Sequence, residues 1–206
     1  MPQWIPEQKW KDEDVYIIGG GTSLESFDWD LLKSKLTIGC NDAFLHGKDI
    51  CKICIFGDTK WFLANQEKLE LYDGAVFTNC GKLYKSKIPW LWSMSRIARG
   101  LSHKALAWNK NTGALAIHLS LLLGAKRVYL LGFDMKLSKN GKANWHPNHI
   151  DKPNKDIYPE FIVGCENLKK ALPKEFPGVK IFNITDDSNL NVFPKISAKE
   201  FWKGKL

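Results

Sequence analysis

Apolar and polar positions along this chain follow two periods in turn. Short β-branched and aromatic runs that stop at Gly, Asn or Asp predict strands at 15–19, 36–40, 50–56, 75–78, 125–132 and 179–184. Between them, helical spacing predicts a helix over 23–33, with Leu24, Phe27, Leu31 and Leu32 on one side, and another over 157–172. The stretch 112–124 is apolar almost all round, so it reads as a helix buried against the sheet, with His118 a core histidine in its middle. Strand and helix in alternation imply an α/β, Rossmann-like and mostly parallel sheet with helices on both faces. Three stretches lack either period: a polar N-terminal segment over 1–14, an insertion over 81–111, and a lysine-rich lid over 135–156.

The strand ends carry the candidate chemistry. After the first strand come Gly19, Gly20 and Gly21, then Thr22 and Ser23, either of which can cap the predicted helix. A glycine turn running into a helix N-terminus is an anion site, with a nucleotide phosphate as its natural guest. The spacing matches neither the dinucleotide fingerprint nor the P-loop, so a tight turn without a ligand is the competing reading. The second strand ends at Asn41-Asp42, the third at Gly57-Asp58-Thr59, the fourth at Asn79 and the fifth at Phe133-Asp134, followed shortly by Lys136. Open α/β sheets bind ligands at these carboxyl ends. Asn111 or Thr112 caps the apolar helix, and the free amides about Gly113 offer a second phosphate contact.

Composition narrows the class. At 206 residues, 44% hydrophobic and 25% charged, the chain fits a single globular domain over 1–206. No signal peptide or membrane-span pattern is present, which predicts a cytoplasmic protein. Five cysteines, an odd number, argue against a disulfide framework, and Cys51-Lys52-Ile53-Cys54 reads as buried thiols rather than half a zinc site. Asp28-Trp29-Asp30 spells D-x-D, but its place in an early helix favours capping over metal binding. A net charge of +8 suits an acidic partner: a nucleotide, a phosphorylated glycan, a membrane surface met through basic residues, or nucleic acid. In the insertion, Lys82, Lys85, Lys87, Arg96, Arg99 and Lys104 interleave with Tyr84, Trp90, Trp92 and Trp108, a pattern that either stacks bases or sugars or anchors the insertion.

Taken together, Ile17-Ile-Gly-Gly-Gly-Thr-Ser-Leu24, Cys40-Asn-Asp-Ala-Phe44, and Asn111-Thr-Gly followed by Leu123-Gly-Ala-Lys-Arg-Val-Tyr-Leu-Leu-Gly-Phe-Asp134 resemble one group in order. The group is the small bacterial sialyltransferases of the lipooligosaccharide type (glycosyltransferase family 42), with the related DUF115-like phage and bacterial lipopolysaccharide-biosynthesis proteins. The resemblance implies a GT-A type sheet and inverting, metal-independent transfer from a nucleotide-activated sugar, with a CMP-sugar favoured, to a glycan hydroxyl. It implies no cofactor beyond the nucleotide-sugar substrate. By position it assigns Gly19 to Ser23 to the donor phosphate and ribose, Asn41 to the nucleotide, and Asn111-Thr112 to the sugar or base. A lid histidine is the implied general base, which makes His149 the first choice and His146 the second. The physical requirement agrees, because a base neutral near pH 7 needs a pKa of about 6.5.

Three positions depart from the pattern. Gly20 stands where the group has asparagine, the lid stretch 135–142 has no tyrosine, and Asn109 or Lys110 replaces an arginine. The donor sugar is therefore left open. Two other readings stand beside the transferase: a magnesium-dependent diphosphokinase of the DUF115 group, with Asp58, Asp134 or Asp186 on the metal, and a nucleic-acid-binding module built on the insertion, which a phage DNA glycosyltransferase would combine with transfer. The sequence is compatible with an oligomer.

Overall fold

The computed structural model describes residues 4, 7–147 and 154–204. Its strands in chain order are β1 (Asp14–Ile18), β2 (Leu36–Cys40), β3 (Ile53–Phe56), β4 (Ala75–Thr78), β5 (Leu91–Ser93), β6 (Arg96–Ile97), β7 (Leu106–Ala107), β8 (Arg127–Leu131) and β9 (Lys180–Asn183). Its helices are α1 (Thr59–Glu70), α2 (Thr112–Leu122), α3 (Tyr158–Glu175) and the short α4 (Ala198–Trp202). The main sheet runs β5-β4-β3-β2-β1-β8-β9 and is parallel at every pair, while β6 and β7 form a separate parallel ribbon. This is the expected α/β Rossmann-like sheet. From β1 the chain steps outward to β5, then returns through α2 to β8 on the other side of β1. The strand order therefore reverses between β1 and β8, and such a switch opens a crevice at the carboxyl ends.

Both sheet faces are apolar because both are covered. Val15, Ile17, Ile38 and Ile55 pack with Leu115 and Leu119 of α2 and Leu168 of α3, whereas Tyr16, Ile18, Cys54 and Phe56 pack with Trp61 and Phe62 of α1. Near-continuous apolar strands are what a parallel sheet buried on two sides requires. The five cysteines are buried free thiols, as expected of Cys51 and Cys54; burial pushes the thiols of Cys51 and Cys165 up to about 12.

The structure corrects several boundaries. No α-helix spans 23–33; the stretch forms two 3-10 turns, Thr22–Leu24 and Trp29–Leu32. Asp28 interrupts it by accepting from the Asp30 amide at 3.1 Å, so the first aspartate of D-x-D is a cap and Asp30 pairs with Lys33 at 2.7 Å. Helix α1 was not predicted, because its outer face includes residues such as Leu63, 66% exposed, that blur the apolar stripe. The insertion is also more regular than expected. Its β5 extends the sheet beside β4, Trp4 donates its amide to the Ser93 carbonyl at 2.8 Å, and Arg96 lies over the Trp108 ring at 4.7 Å. The Trp108 ring fills the space where a Gly57 side chain would stand. These contacts are those of an anchored insertion.

His118 is the core histidine the pattern predicted. The Ala107 amide donates to its Nδ1 at 2.9 Å, which places the ring proton on Nε2, 2.9 Å from the Ser102 carbonyl. Burial lowers its pKa to about 4; the Ser102 carbonyl opposes the shift and His103 adds to it. Between about pH 6.5 and 4 the unfolded chain binds a proton here that the folded chain refuses, so stability falls as pH falls. The full effect is about 3 kcal/mol, expected as a drop in urea midpoint between pH 7 and 4.5 that a His118→Gln variant does not show.

Candidate functional site

At the β1/β8 reversal the crevice is a cleft of about 460 Å³, within the usual range for small-molecule sites. Gly19, Gly20 and Gly21 after β1, Cys40 and Asn41 at the end of β2, and Gly132 to Lys136 after β8 form its floor. Asn111, Thr112 and Gly113 bring the N-terminus of α2, and Ala143, Asn144 and His146 of the lid close one side. Asn154, Ile157, Tyr158 and Phe161 at the start of α3 complete the wall. Three separate strand ends and a helix N-terminus converge because all parallel strands end on the same edge.

The glycine turn lines the cleft and has a structural job as well. The Gly19 amide donates to the Leu131 carbonyl and the Gly21 amide to the Gly132 carbonyl, both at 2.8 Å, so the turn continues the β1/β8 pairing past the strand ends. A side chain on Gly19 would come within 2.6 Å of the Gly132 carbonyl oxygen, and one on Gly21 within 2.2 Å of an Asp134 oxygen. Glycine is needed here for close strand approach. Asp134, buried, then takes the anion position itself: it accepts from the Ser23 amide at 2.9 Å, the Ser23 hydroxyl at 2.6 Å and the Thr22 hydroxyl at 3.3 Å. Thr22 and Ser23, expected on a phosphate, are spent on a carboxylate of the chain and do not line the cleft. With only a three-residue 3-10 turn behind them, no helix dipole adds to the site.

The N-terminus of α2 brings further amides to the cleft. Asn111 caps this helix by accepting from the Ala114 amide at 2.5 Å, and its own side-chain amide donates to the Phe161 carbonyl at 3.1 Å, tying the cap to α3. Thr112 and Gly113 sit at the first turn, facing the cleft, where amides and helix dipole favour negative charge. Asn41 stands in the left-handed region with φ of 50°, and its buried Oδ1 has no hydrogen-bond partner among the described residues. Lys136 reaches the cleft but pairs with the exposed Asp187 at 2.6 Å, which lowers the Asp187 pKa. Asp58 is exposed and lies apart from the cleft: it caps α1, accepting from the Lys60 amide at 2.6 Å and the Trp61 amide at 3.3 Å.

The lid is held by Trp145, whose backbone amide donates to the Gly20 carbonyl at 3.0 Å and whose indole donates to the Gly19 carbonyl at 3.2 Å. That grip buries the next residue, His146, in the cleft wall, 3.6 Å from an oxygen of Asp42. His149 lies outside the described residues. The sequence reading missed Asn144 and Tyr158. Asn144 faces Gly20, the place of the missing asparagine: a side chain on Gly20 would meet the Asn144 Oδ1 at 2.7 Å. Tyr158 supplies a phenol absent from 135–142, and burial followed by nearby Asp134 raises its pKa, so it stays a donor. Neither position carries a periodic signal, because each is brought in by the lid or the α3 terminus.

With this geometry in view, the fold proves to be one shared with glycosyltransferases. The MAf glycosyltransferase from Magnetospirillum magneticum AMB-1 superposes over 98% of this chain with a TM-score of 0.65 at 14% identity. This chain spans 37% of that longer protein. Two structures of the sialyltransferase CstII from Campylobacter jejuni, one with the substrate analogue CMP-3FNeuAc and one with cytidine-5'-monophosphate, match over 89% of this chain at 15% identity, with TM-scores of 0.51 and 0.53. This chain covers 86% and 84% of those. No protein-family model and no curated protein matches the sequence.

The three aspartates offered for magnesium each accept from a backbone amide. Asp58 caps α1, Asp134 holds the glycine turn, and Asp186 accepts from the Ala198 amide at 2.9 Å. Among the described residues no three His, Cys, Asp or Glu side chains come together as a metal-ligand group. Nor is any described helix long and apolar enough to cross a membrane.

Proposed function

We propose that this protein is a glycosyltransferase that takes a nucleotide-activated sugar in the β1/β8 cleft and transfers the sugar to a hydroxyl of a glycan acceptor. The observation that carries the reading is a buried histidine, His146, sharing one cleft with the α2 N-terminus at a topological switch point. The shared fold supports it, as does the binding of CMP compounds that the CstII structures record for that protein.

In this reading Thr112 and Gly113 hold the donor phosphate by their amides, and Asn41 offers its unpartnered oxygen to the nucleotide. The acceptor oxygen bonds to the anomeric carbon as its proton passes to His146. The bond from that carbon to the phosphate oxygen breaks, and Tyr158 donates to the departing oxygen. Attack opposite the leaving phosphate inverts the anomeric centre and needs no metal. A CMP-sugar is the donor favoured, and surface-glycan biosynthesis the setting.

A thermal-shift screen tests the reading directly. A nucleotide or nucleotide sugar at a hundredfold its Kd is expected to add about 2.7 kcal/mol of stability. A flat response across CMP, UDP and GDP compounds overturns it. Turnover lost on adding EDTA and restored by magnesium would favour the diphosphokinase instead.

A further inference from the structure

The insertion over 81–111 is anchored from within, yet it leaves its charge and its exposed rings on the outside, and the transfer chemistry uses neither. Between Asp73 and Asp134 the chain has no aspartate or glutamate, although it carries 22 of them in all. Lys82, Lys85, Lys87, Arg96 and Arg99 fall in that gap; all five are exposed, and none is ion-paired among the described residues. The most exposed aromatic rings among the described residues, Tyr84 at 39% and Trp92 at 37%, fall in it too. Trp90 and Trp108 are the rings that do the anchoring: Trp90 packs by Phe62 with ring centres 6.3 Å apart, and Trp108 covers Gly57.

The charge and the exposed rings share one side of the molecule. β5 is an edge strand of the main sheet, and Trp92 stands at its middle. The Tyr84 hydroxyl donates to the Met94 carbonyl at 2.6 Å, with the Asn79 carbonyl at 3.2 Å, so the ring lies at the carboxyl ends of β4 and β5, between Lys82 and Lys85 in the chain. Burial raises the Tyr84 pKa, and Arg96, close by, opposes the rise. Arg96 in turn lies over the Trp108 ring, beside the end of β3. The cleft opens at carboxyl ends as well, so the basic edge and the cleft mouth share one rim. Asp58, exposed at the start of α1, brings a negative charge to this rim, and Lys60 two positions on offsets it.

We propose that this edge docks the protein on a membrane surface rich in anionic lipid, with the basic side chains at the headgroup phosphates and the Trp92 and Tyr84 rings at headgroup level. A cluster of lysine and arginine is drawn to such a surface, and tryptophan and tyrosine favour the boundary between headgroup and hydrocarbon. Lys82, Tyr84, Lys85, Lys87 and Trp92 line neither the cleft nor the smaller pocket beside α3. They form an outer edge, which meets a broad charged plane better than it encloses a nucleic-acid strand. The docking itself stands apart from the transferase reading; taken with that reading, a glycan acceptor carried on lipid meets the cleft on the side the protein already turns to the membrane.

Co-sedimentation of the full chain with phosphatidylcholine vesicles, with and without phosphatidylglycerol, tests the proposal. Binding is expected only with phosphatidylglycerol and should weaken as salt rises. Lys82→Gln, Lys85→Gln and Lys87→Gln combined should weaken it by about a hundredfold, and Lys169→Gln, Lys170→Gln and Lys203→Gln, which remove the same charge elsewhere, by less than about fivefold. Both triple variants should melt with the wild type. Brominated lipid should quench tryptophan fluorescence less in Trp92→Phe than in the wild type. No binding, equal binding to phosphatidylcholine alone, equal losses in the two triple variants or unchanged quenching in Trp92→Phe overturns the proposal. So does tighter binding at the same salt to a DNA duplex, lost in the Lys82, Lys85 and Lys87 variant, which would make the edge a nucleic-acid surface. Vesicle binding needs no turnover, so failure of the transferase reading leaves this test intact.

Discussion

Replacing His146 with alanine is expected to lower turnover by about 10²- to 10⁴-fold while nucleotide affinity changes little. The magnitude is that of general-base catalysis, since the acceptor hydroxyl must then lose its proton to water. Affinity persists because the phosphate and nucleotide contacts proposed above come from Thr112, Gly113 and Asn41, on elements distinct from the lid. Steady-state kinetics beside a nucleotide titration by calorimetry checks both halves. His149→Ala in the same assay is the control. If that variant loses turnover and His146→Ala keeps it, the base is His149, and the buried His146 is a packing residue of the lid.

The second large effect concerns stability. Asp134→Ala removes the carboxylate that accepts three hydrogen bonds from Thr22 and Ser23. The Ser23 amide is left beside a cavity, and the β1/β8 extension loses the group that Gly21 is shaped to receive. Hydrogen bonds to a charged group contribute about 1.5–3 kcal/mol each, and those sharing one carboxylate are not additive, so a loss of about 3 kcal/mol is expected. For a domain of this size that is a fall in Tm of about 10 °C. Asp134→Asn, which keeps the shape and one acceptor, should lose about half as much. Calorimetry without ligand is the check. An Asp134→Ala protein as stable as wild type but no longer stabilised by nucleotide would mean that the carboxylate serves the ligand and not the turn.

These expectations show where sequence patterning was a sufficient guide. The buried strands β1, β2 and β4, the apolar helix α2 with its Asn111 cap, and the core role of His118 were all legible, because each depends on local periodicity and on a cap within three residues. Helix α1 was not legible, since it exposes apolar residues such as Leu63 among its polar ones. For Trp108 the sequence left stacking and anchoring side by side, and its packing against Gly57 is that of an anchor.

The candidate site divides along the same line. The sequence by itself determined that polar residues gather at the carboxyl ends of parallel strands, because strand ends are set by hydrogen-bonding period and glycine, asparagine and aspartate stop the run. Gly19 to Gly21, Asn41, Asn111 to Gly113 and Asp134 were found that way. Only the tertiary structure decided what each group bonds to. Asp134 reaches Ser23 across 111 positions, His146 reaches Asp42 across a lid, and Asn144 and Tyr158 arrive from segments without periodicity. Such pairings are fixed by how β8 lies against β1 and how Trp145 grips the glycine turn, and no local pattern encodes a partner a hundred residues away.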